Sequence, residues 1–266
     1  MAFLYNTRMR RCGNIIKFYT YEEAVAVGLS RPKSTGKGDK PTYIYDEIKD
    51  EWLHVDKETG EIGASEVLDK KLESRRRSTH RARNELIDLI NTNFTSGDKF
   101  VTLTFADNLT DITKAKRYIN QFFKKLRSYV EEQKKGVDLK YAYVIEFQER
   151  GAVHFHLIMN TLFIRNKTLE KLWSHGFVRI NRIEHVRNVG AYVVKYMTKS
   201  GVDERLIGKK LYQTSQNCEK PQWIYGEEAE RILHKLEVEG KKESYTNSFD
   251  TDRNGTATFK EFNLSD

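Results

Sequence analysis

Two histidines stand one residue apart inside an apolar run, "GAVHFHLIMN", at residues 151–160. Side chains at positions i and i+2 of a strand point to the same face, so His154 and His156 would share one face and their apolar neighbours the other. Two imidazoles about 7 Å apart along a strand can coordinate one metal ion. They can equally be hydrogen-bonded residues of a half-exposed strand, so the pair alone leaves both interpretations open.

A carboxylate in the preceding segment bears on this choice. Glu146 lies in "LKYAYVIEFQE", residues 139–149, and "Arg150-Gly151" follows as a turn signal. A tight hairpin at that turn would bring Glu146 opposite, or one step from, the two histidines. Two nitrogen donors and one oxygen donor suit a divalent ion with open positions, such as Mn²⁺ or Mg²⁺. Gln148, two residues after Glu146, would share its face as a neighbouring or substitute ligand.

A candidate nucleophile lies further along, in "AYVVKYMTK". Tyr192 and Tyr196 are four residues apart and would share one face of a helix. Lys195 and Lys199 repeat the same step, which makes the segment a doubled Tyr-x-x-Lys. Tyrosines on a helix usually serve packing, but a tandem repeat with lysines favours a nucleophilic role for one or both hydroxyls.

The elements that must position these residues follow a regular order. "KFVTLTFADN" alternates like a strand, and the following "DITKAKRYINQFFKKLRSYVEEQKKG" has apolar residues at helical spacing. The predicted hairpin comes next, then the short helix "KTLEKLWSHG", the strand "FVRINRIEH" and the tyrosine helix. The order β-α-β-β-α-β-α predicts an α+β fold, an antiparallel sheet with flanking helices in a ferredoxin-like arrangement.

The flanking regions are less informative. Residues 1–70 contain three possible short strands, "FLYNT", "IIKFYT" and "PTYIYDE", and are interpreted as an N-terminal extension of unknown role. Residues 71–225 form the core domain, and residues 226–266 a C-terminal amphipathic helix with a polar tail.

Residues 70–93 are expected to form a helix whose first half is basic. Its arginines either face solvent or contact nucleic-acid phosphates; they are Arg75, Arg76, Arg77, Arg81 and Arg83.

Composition narrows the class of protein. The 266 residues carry 46 Lys and Arg against 38 Asp and Glu, a formal net charge of +8, which favours a polyanionic partner. Only two cysteines are present, which argues against a disulfide framework and a cysteine-rich zinc site. The sequence shows no secretory leader and no membrane-length apolar run, so a soluble cytoplasmic protein without a membrane partner is expected. The phosphate-loop spacing of ATPases does not occur.

Three segments together resemble the HUH endonucleases of rolling-circle replication, and most closely the replication initiators of small plasmids and single-stranded DNA phages. "FVTLTF" is similar to the family's first motif, "EFQERGAVHFHLIM" to its histidine motif and "YVVKYMTK" to its tyrosine helix. The resemblance spans roughly residues 75–225. It implies an HUH endonuclease core of the ferredoxin/RRM type that nicks single-stranded or hairpin origin DNA, leaves a 5′-phosphotyrosine and a free 3′-OH, and later rejoins the product.

The resemblance also implies roles for individual residues. Glu146, His154 and His156 would hold the metal, Tyr196 or Tyr192 would be the nucleophile, and Lys195 or Lys199 would offset charge on the phosphate or lower the tyrosine pKa. A host helicase and polymerase would complete replication, because no helicase motif is present. The alternatives are an HUH transposase or relaxase, and a single-stranded-DNA-binding regulatory protein with an inactive nuclease fold.

One further motif is "DTDRNGTATFKE", Asp250 to Glu261, which fits the EF-hand loop pattern. The segment "FNLSD" that follows is too short for an exiting helix. A polar tail is therefore favoured over a calcium site.

Overall fold

The computed structural model describes residues 3–28, 42–46, 51–55, 62–63, 66–133, 136–160, 164–183, 186–197, 205, 210–251 and 253–265. The chain forms two compact units, one made of residues 28–81 and the other of the segments on either side, 1–27 and 82–266. Within the described residues, no helix is long and apolar enough to cross a bilayer.

The smaller unit contains one antiparallel three-stranded sheet. Its strands are β3 (Thr42–Asp46), β4 (Glu51–Val55) and β5 (Ile62–Gly63), in that order. The strand predicted in "PTYIYDE" is confirmed as β3. The helix α1 (Glu66–Asn93) begins in this unit and ends in the larger one, which confirms the helix expected over residues 70–93.

The larger unit is built on two five-stranded antiparallel sheets. The first sheet has the order β11-β1-β2-β13-β12 and the second the order β10-β7-β8-β6-β9. The strands of the first are β1 (Phe3–Cys12), β2 (Ile15–Val27), β11 (Gln222–Tyr225), β12 (Glu243–Asp250) and β13 (Thr256–Asn263). Those of the second are β6 (Lys99–Thr104), β7 (Tyr141–Phe147), β8 (Val153–Met159), β9 (Val178–Arg182) and β10 (Tyr212–Thr214).

The second sheet carries the predicted core. Between its strands lie α2 (Ile112–Gln133) and α3 (Asn166–Trp173), and after β9 comes α4 (Val189–Met197). The chain order β6-α2-β7-β8-α3-β9-α4 confirms the predicted β-α-β-β-α-β-α order. The neighbouring strands β7, β8, β6 and β9 have the order of the ferredoxin-like fold. The fold class is therefore α+β, as predicted, with helices on both faces of the antiparallel sheet.

One face of the second sheet is a conventional apolar core. Asp111 caps α2, because its Oδ1 accepts hydrogen bonds from the backbone N–H groups of Thr113 (2.7 Å) and Lys114 (3.1 Å), and these bonds lower the pKa of its carboxyl. The apolar residues of α2 recur at helical spacing and are buried against Leu103 and Phe155, together with Trp173 of α3. The alternate residues of the same strands are thereby presented on the opposite face.

The first sheet corrects one expectation. The segment predicted as a polar tail is a β-hairpin, β12 and β13, and β13 pairs with β2. β12 is exposed along its whole length and has no buried face, so burial does not impose an alternating apolar pattern on its sequence. β13 is held by burial of Ala257 and Phe262. The EF-hand pattern does not form a helix–loop–helix site here, because Asp250 ends β12 and Glu261 lies within β13.

The first sheet is covered on one face by α5 (Glu227–Val238), which confirms the predicted amphipathic helix. Met9, Phe18 and Phe262 of the sheet are buried against Ala229 and Leu236 of α5. The strands predicted in "FLYNT" and "IIKFYT" are confirmed as parts of β1 and β2.

Candidate metal and nuclease site

The hairpin β7–β8 forms as its sequence predicts. The backbone N–H of Gly151 donates to the carbonyl of Gln148 at the turn, and Glu146 pairs directly opposite His154. His156 pairs opposite Val144, one step along. Directly opposite residues share a face, so both imidazoles and the carboxylate lie on the side of the second sheet that faces away from α2. This side is called the histidine face below.

The three side chains converge. Their candidate ligand atoms all lie within 4.8 Å of one another, and this is the one such group of three among the residues the structure describes. His156 Nε2 is hydrogen-bonded to Glu146 Oε2, and the two imidazole rings are 5.3 Å apart between centroids. All three side chains are half-buried. Two imidazoles and a carboxylate form a donor set that fits Mn²⁺ or Mg²⁺ with positions left open.

Two threonines of β6 support the histidines. Thr104 pairs with His154 and Thr102 with His156 in the register of β6 and β8. Thr104 Oγ1 is hydrogen-bonded to His154 Nε2, and Thr102 Oγ1 lies 3.1 Å from His156 Nδ1. Because Thr102 contacts Nδ1 of His156, Nε2 of the same ring is directed at Glu146. Hydrogen-bond partners behind a metal-binding histidine commonly fix the orientation of its ring in this way. Neither threonine was predicted from the sequence as a site residue, although the Thr-x-Thr spacing in "FVTLTF" matches the His-x-His spacing of the next strand but one.

The protonation of His154 suits ligation. Burial, together with the neighbouring His156 and Arg150, lowers the pKa of His154 to about 4, although the Glu146 carboxylate opposes this shift. The imidazole is therefore neutral near pH 7, the form in which histidine binds a metal.

The histidine face is polar at one end and apolar at the other. The polar end carries the histidines, Glu146 and the two threonines. The apolar end is formed by Phe100, Ala142, Val144 and Ile158, which are buried against α1 and α4. Val193 and Val194 of α4 are fully buried there, and α4 contacts β7 and β8. The tyrosine helix thus packs on the same face that carries the candidate metal ligands.

A pair of asparagines fixes the start of α4 on α1. Asn188 Oδ1 accepts a hydrogen bond from the backbone N–H of Ala191 (2.8 Å) and one from Asn91 Nδ2 (2.9 Å). Asn91 Oδ1 accepts from the backbone N–H of Gly190 (2.7 Å). Gly190 is required for the close approach, because a Cβ at this position would lie 2.3 Å from the carbonyl oxygen of Ile87. We call this arrangement the asparagine clasp.

The predicted nucleophiles both lie on α4. Tyr192 is half-buried and packs against the apolar end of the histidine face. Tyr196 follows one helical turn later, and its side chain is outside the described part of the structure. Lys195 is exposed, and Lys199 lies outside the described residues. The side chain of Gln148 is half-buried and its Oε1 accepts a hydrogen bond from Nε of Arg150.

The basic cluster is partly described. Arg75, Arg76 and Arg77 lie on α1, with side chains outside the described part, whereas Arg81 is exposed and Arg83 is half-buried. Their proposed contact with DNA stays a prediction.

An exposed aromatic residue borders the histidine face and was not singled out from the sequence. Phe177 exchanges backbone hydrogen bonds with Thr104 (2.9 and 3.0 Å), so its side chain shares the face of Thr104, yet it is 71% exposed. Arg179 pairs with Thr102 on the edge strand β9 and is also exposed. Gly176 permits this close pairing, since a Cβ there would lie 2.2 Å from the carbonyl oxygen of Thr104.

The fold and site together are consistent with an HUH endonuclease-like core, an antiparallel sheet that carries a Glu–His–His set. Residues 98–201 match the model of a family described as replication-associated proteins. The match covers about two fifths of the chain and includes β6 through α4, and it supports a role as a replication initiator. No curated protein and no solved structure matches the chain.

Proposed function

We propose that this protein initiates rolling-circle replication by nicking and rejoining single-stranded origin DNA through a tyrosine nucleophile. The observation that carries the proposal is the packing of the tyrosine helix α4 on the same sheet face as Glu146, His154 and His156. The match of this very segment to a replication-associated family supports the same function.

The reaction is a transesterification. The hydroxyl oxygen of Tyr196 or Tyr192 forms a bond to the phosphorus of one phosphodiester, and the bond from that phosphorus to the 3′ oxygen breaks. The tyrosine proton leaves to a base or to water, and the released 3′ oxygen takes up a proton. The products are a 5′-phosphotyrosine and a free 3′-OH that a polymerase can extend. Attack of a new 3′-OH on the phosphotyrosine reverses the step and rejoins the strand.

Different groups of residues would have different roles in this reaction. Glu146, His154 and His156 would hold a Mn²⁺ or Mg²⁺ ion, which when bound acts as a Lewis acid on the scissile phosphate. Thr102 and Thr104 keep the imidazoles oriented. The asparagine clasp holds α4 against the sheet, which limits how far the nucleophile can drift from the phosphate. Lys195, exposed on α4, and Lys199 would offset phosphate charge or lower the pKa of the tyrosine.

Further residues would hold the DNA. Phe177 can stack on a base beside the site, and Arg179 can contact an adjacent phosphate, because both are exposed at the rim of the histidine face. The arginines of α1, Arg75, Arg76, Arg77, Arg81 and Arg83, would add phosphate contacts. Unwinding and extension would come from a host helicase and polymerase, and the reaction would take place in the cytoplasm.

The decisive experiment uses single-stranded DNA from the origin of the protein's own replicon, with Mn²⁺, in two labelled forms. With a 3′ label, the label should move onto the protein and persist on a denaturing gel, because the phosphotyrosine retains the 3′ fragment. With a 5′ label, a shortened strand should appear that a polymerase can extend. Release of a labelled strand without any covalent adduct would refute the tyrosine mechanism.

Variants assign the roles. Tyr192→Phe and Tyr196→Phe remove only the hydroxyl, and Tyr129→Phe on α2, behind the opposite face, is the matched control. If each single variant nicks but rejoining fails, the two tyrosines alternate. If one variant is inactive and the other normal, there is a single nucleophile. Adduct formation at the wild-type rate by the double variant would contradict the proposal.

The metal ligands are tested by binding as well as by cleavage. Because loss of outer-shell partners alone costs about 10–100-fold in metal affinity, His154→Ala with His156→Ala should weaken Mn²⁺ binding by at least about that factor in calorimetry. His234→Ala, an exposed histidine on α5, should leave binding unchanged. Undiminished cleavage in excess chelator would exclude the metal from the mechanism.

A further inference from the structure

The first sheet has a second face that α5 does not cover. Arg8 pairs opposite both Tyr19 and Tyr225, and Arg10 pairs opposite Trp223, so these side chains share a face. Tyr19 in turn pairs opposite Phe259 of β13. The apolar residues Met9, Phe18 and Phe262 alternate with them and are buried beneath α5. We call this second side the aromatic face.

The aromatic face is a connected array of rings. Tyr19 lies 5.9 Å from Trp223 and 4.9 Å from Phe259 between ring centroids, and Phe259 lies 5.9 Å from Tyr245. Trp223 and Tyr225 are nearly parallel at 6.3 Å. The array therefore crosses from β11 at one edge to β12 at the other, about 19 Å at ordinary strand spacing. The rings of the sheet centre are half-buried, and Tyr245 is 55% exposed.

A cation stands in the middle of these rings. The Arg8 guanidinium lies 4.6 Å from the Trp223 ring centroid, 4.9 Å from that of Tyr19 and 5.5 Å from that of Tyr21. Among the described residues it forms no ion pair with a carboxylate. Its Nε is buried without a hydrogen-bond acceptor. A guanidinium that lies beside aromatic rings and has no carboxylate partner is suited to bind a phosphate group.

The aromatic face and the histidine face are turned toward the same helix. Asp88 of α1 pairs with Arg10 (2.8 Å) and Lys17 (2.6 Å), which lie on the aromatic face. Leu86 and Ile90 of α1 are buried against the apolar end of the histidine face. The C-terminal part of α1 therefore contacts both faces, so the aromatic face and the histidine face belong to one packed unit.

We propose that the aromatic face binds single-stranded DNA, with bases stacked on Trp223, Tyr19, Phe259 and Tyr245 and a phosphate held by Arg8. Stacking on aromatic rings together with arginine contacts is how sheets hold single strands without reading sequence. The surface lies outside residues 98–201 and so adds to the site matched by the replication-associated family. The choice of DNA over RNA rests on the proposed nicking function.

The test measures fluorescence anisotropy of a labelled oligothymidylate with the full-length protein. Each of Trp223→Leu, Tyr19→Leu and Tyr245→Ala should weaken binding, by about 5–150-fold for a ring that stacks fully on a base. Arg8→Gln should also reduce the slope of log affinity against log salt by about 0.7. Tyr129→Leu on α2 is the matched aromatic control and should bind as wild type. Circular dichroism and urea unfolding identify any variant that fails to fold, and Tyr245, being exposed, keeps the test interpretable.

The outcomes separate this proposal from the nuclease proposal. Variants of the aromatic face should form the covalent adduct at the wild-type rate once DNA is saturating, because they change affinity and not chemistry. Weakened DNA binding in a protein that never forms an adduct would support the aromatic face and refute the nuclease. Unchanged oligothymidylate binding in all folded variants would overturn the aromatic face, as would a clear preference for oligouridylate.

Discussion

The asparagine clasp should be essential for holding the tyrosine helix, and Asn91→Ala is the change that tests it. Asn91 is 9% exposed and makes two hydrogen bonds to the start of α4, at 2.7 and 2.9 Å. Alanine would leave the buried N–H of Gly190 without an acceptor, which costs about 1–3 kcal/mol, and would remove a second bond worth about 1 kcal/mol. The free energy of unfolding should therefore fall by about 2–4 kcal/mol.

Three measurements follow from this value. Urea unfolding should give the loss of about 2–4 kcal/mol, and the melting temperature should fall by about 2–4 °C for each kcal/mol in a chain of this size. Hydrogen exchange should lose protection first at residues 189–194, because the clasp holds that segment on α1. Adduct formation should slow even at saturating DNA and metal, since the nucleophile is no longer fixed.

Asn93→Ala is the matched control for Asn91→Ala. Asn93 lies on the same helix and hydrogen-bonds the backbone of Glu219 at 2.7 and 2.8 Å, and within the described residues none of its hydrogen bonds goes to α4. It should lower stability without slowing adduct formation. If Asn91→Ala costs less than about 1 kcal/mol, or if exchange in α4 is unchanged, the clasp does not position the helix.

Three other predictions concern separate parts of the larger unit. Asp88→Ala should lower the free energy of unfolding by about 3–5 kcal/mol in urea titration, because it leaves the largely buried Arg10 without a carboxylate partner and Lys17 with only the longer contact to Glu261 (3.9 Å); a loss below about 1 kcal/mol would show that solvent compensates. Burial raises the pKa of Cys12 from 9.0 to about 12. The unfolded thiol thus loses its proton first, and stability should decline by about 1.4 kcal/mol per pH unit above pH 9; Cys12→Ala should have a shallower decline. Phe177→Ala should weaken single-stranded DNA binding by about 1–3 kcal/mol and leave Mn²⁺ affinity unchanged, and equal loss of both would mean that it acts through the fold.

Local patterns were sufficient to predict β6, β7, β8 and β9 of the second sheet, whereas the short edge strand β10 was not predicted. The alternation in "FVTLTF" and "VHFHLIM" and the helical spacing of α2 each reflect burial on one side, and short connections bring successive elements together. The turn at Arg150 and Gly151 predicted Glu146 opposite, or one step from, the two histidines, and the structure pairs it directly opposite His154. The convergence of ligand atoms needed only that register.

The first sheet could not be predicted in the same way. Its strands come from residues 3–27 and 222–263, and no local signal indicates which distant segments pair. β12 has no buried side and looks like a polar tail. The asparagine clasp could not be predicted either, because nothing in the sequence indicates that Asn91 and Asn188 lie close together where α4 packs on α1. The contacts of Thr102 and Thr104 with the histidines depend on the pairing of β6 with β8, which the sequence does not specify.

The long-range pairing of β2 with β13 also determines the order in which the two sheets can form during synthesis of the chain. The two strands are about 230 residues apart in sequence, so at ordinary rates of synthesis roughly 10–50 s separate their appearance. Throughout that interval one edge of β2 stays unpaired, and the ring of Tyr19 lacks its contact with Phe259. The second sheet, assembled from the continuous stretch 99–214, can be complete before then. Slow translation or release before residue 256 would therefore yield a folded second sheet joined to an open, aggregation-prone β1–β2 ribbon.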